Sequence, residues 1–175
     1  YQVDLVITHQ TQQGAYLQEL DKKVNVIFLE DELNRSKKVS ILAKLRMLYA
    51  RAIGKIGFRE ASLIQKYCAR NYGKVVWLKS YFKNNADSTA VAFLYDSIFL
   101  TLLAKARKTR VIISERGDPQ QSMSSKTTMA FLHREFRKAD KVVFQSPDVK
   151  KWYETKMNVT GTVIFNPIKQ GLPKR

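Results

Sequence analysis

The sequence predicts an α/β domain built on a mainly parallel sheet. Three observations carry that prediction. Short apolar runs alternate with helical stretches along the whole chain. Two of those runs, Val24 to Leu29 and Val111 to Ile113, are almost continuously apolar, as strands covered on both faces are. The 175 residues, 45% of them hydrophobic, suffice for one domain with its own core.

Taken in order, Tyr1 to His9 reads as the first strand, with Val3, Leu5 and Ile7 alternating. Val24 to Leu29 reads as the second. Lys37 to Phe58 is the clearest amphipathic helix. Its apolar positions are Ile41, Leu42, Leu45, Leu48, Tyr49, Ala52, Ile53 and Ile56, at three- and four-residue spacing. Further helices are expected at about Glu60 to Asn71 and Lys74 to Lys83. Thr89 to Leu94 reads as a strand, followed by a helix to Ala106 capped by Asp96 or Ser97. Thr109 to Ser114 is the next strand, Lys126 to Lys138 the next helix, and Val142 to Gln145 another strand. Ser146 then caps a helix with Pro147 in first position. Thr162 to Phe165 is the last strand, stopped by Asn166-Pro167.

Ligands of such sheets sit at the carboxyl ends of the strands. Here those ends are His9-Gln10, Tyr95-Asp96, Glu115-Arg116, Gln145-Ser146 and Asn166. Several chemistries are excluded. Neither a GxGxxG nor a GxxxxGK[ST] loop is present. Cys68 is the one cysteine, so no intrachain disulfide or cysteine zinc cluster can form, and a reducing compartment fits best. His9 and His133 lack metal-ligand spacing, and no metal is expected.

The formal net charge is +16. Thirteen basic residues and one acid, Glu60, lie between Arg35 and Lys83, so most of that charge is in one basic helical insert. A polyanionic partner is expected. On the Lys37–Phe58 helix, Lys37, Lys44, Arg51, Lys55 and Arg59 form a basic stripe beside the apolar arc. The expected arrangement sets the apolar side on the core and the basic side on the headgroups of an anionic membrane.

Ile113-Ser114-Glu115-Arg116-Gly117-Asp118-Pro119 resembles the strand-end SER-N-x-P signature of bacterial family-4 retaining glycosyltransferases, which have the GT-B fold. Tyr1-Gln-Val-Asp-Leu-Val-Ile7, Gly14-Ala-Tyr16 and Val24-Asn-Val-Ile27 are similar to that family's early passage. Ala92 to Ser97 resembles the strand end before its next helix. Ala139 to Ser146 and Val163 to Ile168 resemble its A-D-x-V-V-x-Q-S and V-I-x-N-P-I passages.

The resemblance implies a Rossmann-like three-layer domain over residues 1–168, the acceptor-binding half of a GT-B enzyme. Residues 169–175 would begin the interdomain linker, with Asn166 and Pro167 as hinge. The nucleotide-sugar donor would bind a C-terminal domain that the chain lacks, so no cofactor is expected here and the chain alone should be inactive. The family's opening strand and glycine-rich loop are also not represented. The implied reaction moves a sugar from a nucleotide-sugar to a lipid-linked or glycan acceptor in bacterial cell-surface polysaccharide synthesis. The implied location is cytoplasmic, peripheral on the inner face of the plasma membrane. Glu115 and Arg116 are the implied catalytic cleft residues, with Glu115 polarising or positioning the acceptor. Tyr95, Asp96 and His9 are the implied acceptor contacts. Two other classes are open: a nucleic-acid-binding module, which fits the charge, and a non-catalytic regulatory partner of a glycosyltransferase, completing a split enzyme.

Overall fold

The computed structural model describes residues 2–8, 20–35, 40–117 and 126–166. The chain is α/β with parallel strands throughout the described sheets. Its strands fall into two sheets rather than the single one expected. Two compact units result, Tyr1–Tyr81 and Phe82–Arg175.

In the first unit, β1 (Val3–Ile7) pairs in parallel with β2 (Val24–Phe28), with Leu5 opposite Val26. Among the described residues each strand has one partner, so neither is covered as a central strand is. Val3 and Leu5 remain exposed, and the apolar run of β2 is only half-buried. Asp4 on β1 sits opposite Asn25 and accepts its amide at 3.1 Å. It also accepts the Tyr81 hydroxyl. That bond holds the Asp4 carboxyl below its ordinary value. Burial, then Asp4, pushes the Tyr81 hydroxyl up to about 12.

A helix follows β2 without a loop: α1 (Leu29–Arg35). Its signal is Glu30, Asp31 and Glu32, acids that suit the positive end of a helix. Leu29, expected to end the strand, begins this helix and is fully buried. Next come α2 (Ser40–Lys55) and α3 (Arg59–Arg70), a packed helical hairpin. Gly57 adopts φ +93° in the link, a conformation that a Cβ would strain. The last helix that begins in this unit is α4 (Tyr72–Asn84).

The expected orientation of α2 is reversed. Ile41, Leu45, Leu48, Tyr49 and Ile56 are exposed, not set on a core. The helix packs on α3 through small residues instead. Ser62 Oγ donates to the Ala50 carbonyl at 2.6 Å, and a Cβ on Gly54 would lie 2.7 Å from the Ser62 Oγ. Lys37 and the side chain of Leu42 lie outside what is described.

The second unit holds a four-stranded sheet in the order β3 (Thr89–Phe93), β4 (Arg110–Glu115), β5 (Lys141–Phe144), β6 (Thr162–Val163). Its helices are α5 (Tyr95–Ala104), α6 (Lys126–Phe136) and α7 (Pro147–Met157). The core is built by α5, whose Ile98, Phe99, Leu100 and Leu102 are buried, with Val111, Ile113, Leu132, Phe136, Phe144 and Tyr153. Rings meet in series: Phe99 on Phe136 (6.5 Å), Phe136 on Tyr153 (5.6 Å) and Tyr153 on Phe144 (5.1 Å). Ser146 caps α7 as expected, accepting Val149 N–H with Pro147 in the first turn. The cap expected from Asp96 or Ser97 is not there. Leu94 holds that position at φ 65°, with no side-chain cap, and Asp96 sits in the first turn.

Asp140 clips the start of β4 to β5. Its Oδ2 accepts Val111 N–H at 2.6 Å and Lys105 Nζ at 2.7 Å. Lys105 first, then Val111, holds its carboxyl below the ordinary value. The stability it adds is therefore complete above about pH 4 and lost as pH falls through the lowered value. Asp140→Asn should lower the urea midpoint at neutral pH, and the gap to wild type should close in acid. A gap that stays constant with pH would exclude this role.

Candidate functional site

The candidate site lies at the carboxyl edge of β4, β5 and β6. Strand alternation sends Glu115 and Arg116 to opposite sides. Glu115 turns inward and is 4% exposed. Its Oε1 accepts Gly117 N–H at 2.8 Å, and its Oε2 accepts the Tyr153 hydroxyl at 3.2 Å. Tyr153 is fully buried on α7. Burial above all, then the Glu115 carboxylate, drives its hydroxyl far above the ordinary tyrosine range.

Arg116 turns outward. Its guanidinium lies over the Phe93 ring, 4.9 Å from the centroid. With Gln145, Ser146 and Asn166 it supplies the polar lining of an open pocket of about 510 Å³. Gly117, Val149 and Phe165 complete that lining. Three of the strand ends singled out in the sequence thus converge on one pocket. The cause is geometric: neighbouring parallel strands end on the same edge.

A cation, two carboxamides and a hydroxyl suit a hydroxyl-rich or anionic ligand. The exposed Phe165 ring adds an apolar face. Tyr95 begins α5 with its ring edge on Phe99 at 4.7 Å. Burial, then Glu115, then Asp96, pushes its hydroxyl up to about 12. Neither Tyr95 nor Asp96 lines the pocket. Their turn is strained at Leu94, a non-glycine residue at positive φ.

The remaining expected site residues lie elsewhere. Lys44, Arg51 and Lys55 are exposed on α2, and Arg59 is exposed at the start of α3. His9 and Pro167 lie outside the described residues. Among the described residues no group of His, Cys, Asp and Glu is arranged to hold a metal ion.

Tyr153, Val149 and Phe165 were not foreseen as site residues. Val149, Tyr153 and Met157 recur every four residues, a spacing that announces a core-facing helix stripe. Nothing in the sequence announces that the Tyr153 hydroxyl meets a carboxylate 38 residues away. No family model matches the chain, and no curated protein or solved structure matches it either.

Proposed function

We propose that the chain is the acceptor-binding half of a retaining glycosyltransferase of GT-B type, acting on a glycan acceptor, lipid-linked in the cell. The observation that carries this is the pocket at the carboxyl edge of β4–β6, with Arg116, Gln145, Ser146 and Asn166 converging on it. Its amides and hydroxyl suit sugar hydroxyls. Arg116 suits a phosphate at the acceptor's reducing end or on the donor's leaving group. Glu115 sits behind the pocket with both oxygens engaged. Its part in this proposal is to fix the backbone at Gly117, and so the direction of Arg116. Tyr95, at the neighbouring strand end, feels that carboxylate. In this proposal Asn166, three residues beyond β6, is where the chain would cross toward a donor-binding domain. Sugar transfer then requires that second domain, in the same chain or another.

Titration calorimetry of the 175-residue protein against short oligosaccharides and their lipid-linked forms tests this. Saturable binding is expected, weakened roughly tenfold by Arg116→Ala and by Asn166→Ala, as for loss of one good polar contact each. No nucleotide-sugar should be turned over. Turnover by the chain alone, or tight binding of random duplex DNA in moderate salt with no glycan binding, would overturn the proposal.

A further inference from the structure

α2 carries most of its described large apolar side chains on the outside. At 100° per residue, Ala43, Met47, Ala50 and Gly54 fall within about 60° of one another on α2. Ala50 is fully buried and the other three are half-buried. This is the side closed by Ser62 of α3. Diametrically opposite, Ile41, Leu45, Leu48, Tyr49, Ala52 and Ile56 fall within about 100°. All six are exposed: Ile41 is 74%, Leu45 55% and Ile56 70% exposed. Phe58 in the link is exposed too, at 63%. A helix of a water-soluble core does the reverse, burying large side chains and exposing small or polar ones. Small residues inside and large aliphatic ones outside characterise helices whose outer face meets lipid.

Charge selects the occupant. From Ser40 to Arg70 there are seven basic residues and one acid. Lys44, Arg51 and Lys55 line one flank of the apolar face within about 40°, and Arg59 continues them at the start of α3. A second copy would bring the same positive charge and be repelled. Nucleic acid would pair with the cations but leave the aliphatic face in water. An anionic bilayer satisfies both. No described helix is long and apolar enough to cross a membrane, so α2 would lie along the surface.

We propose that the α2–α3 hairpin docks on an anionic lipid bilayer. The Ile41–Ile56 face and Phe58 enter the acyl boundary, while Lys44, Arg51, Lys55 and Arg59 meet the headgroups. The hairpin shares no residue with the pocket of the second unit, so its failure would leave the glycan-binding proposal standing, and the reverse holds.

Flotation of the 175-residue chain with phosphatidylcholine vesicles, with and without phosphatidylglycerol, provides the test. Wild type should float with the anionic vesicles and scarcely with the neutral ones. Lys44→Gln/Arg51→Gln/Lys55→Gln should lower anionic partitioning about a hundredfold. Leu45→Ser/Leu48→Ser/Ile56→Ser should lower it at least about tenfold and abolish the part that survives high salt. All six residues are exposed, so thermal midpoints should stay near wild type and separate lost docking from lost folding. Equal recovery with neutral and anionic vesicles would overturn the proposal, as would an apolar variant that floats like wild type. A wild-type oligomer that the apolar variant dissolves, with no vesicle binding, would instead assign the face to a protein interface.

Discussion

Glu115→Leu is expected to lower stability by about 2–4 kcal/mol, read as a lower urea midpoint with an unchanged slope. The carboxylate is the acceptor for two donors, the Gly117 N–H and the Tyr153 hydroxyl. Tyr153 has no exposed surface, so water cannot replace the lost acceptor. The buried Tyr153 hydroxyl left unpaired costs about 1–3 kcal/mol and the lost bond at exposed Gly117, whose N–H can turn to water, about 1 kcal/mol, partly offset because a charge no longer has to be buried. Tyr153→Phe should cost less, about 1–2 kcal/mol, because Gly117 still serves the carboxylate. In Glu115→Leu/Tyr153→Phe the orphaned hydroxyl is gone, so the double variant should be about 1 kcal/mol or more stabler than the sum of the singles. Strict additivity would show that the Glu115–Tyr153 bond carries no energy. Glu115→Gln is the companion variant: its amide can still accept from Gly117, so it should fold and isolate the effect of the charge.

Gly161→Ala should be as damaging, at about 3 kcal/mol, for a purely steric reason. A Cβ there would lie 2.4 Å from the Val142 carbonyl oxygen and 2.8 Å from the Phe144 ring. The oxygen belongs to β5, which is paired on both edges and cannot yield. The Gly161 strand must move instead, taking with it the β6 pairing of Val143 with Thr162 and the Ile164 N–H bond to the Phe144 carbonyl. Phe165 and Asn166 follow directly and line the pocket. The expected signature is a lower thermal midpoint, faster hydrogen exchange at Ile164 and weaker glycan binding together. Stability within about 0.5 kcal/mol of wild type, the usual range for an uncommitted surface position, would exclude the close approach.

Local pattern was legible because its causes are local. Period-2 and period-3.6 apolar spacing placed the strands and most helices within a few residues. Ser146-Pro147-Asp148 announced its helix by capping chemistry alone. The strand ends Glu115-Arg116, Gln145-Ser146 and Asn166 were readable as a ligand edge, since parallel strands share one direction. The short α1 was missed because its first residue, Leu29, continues the apolar run of β2. The Leu94 turn was misread because Asp96 and Ser97 are good caps by type, yet the chain had already turned at Leu94.

By itself, then, the sequence determined the α/β pattern, the parallel direction of the strands, the concentration of charge between Arg35 and Lys83, and the edge on which polar groups gather. Only the tertiary structure decided three things. It divided the strands between two sheets, because pairing depends on which edges meet. It placed Glu115 behind the pocket, because burial depends on Tyr153, distant in the chain. It turned the apolar arc of α2 outward, because periodicity defines a face but not what lies against it. Here Ala50, Gly54 and Ser62 allow the closer helix approach, and the small-residue side took the partner.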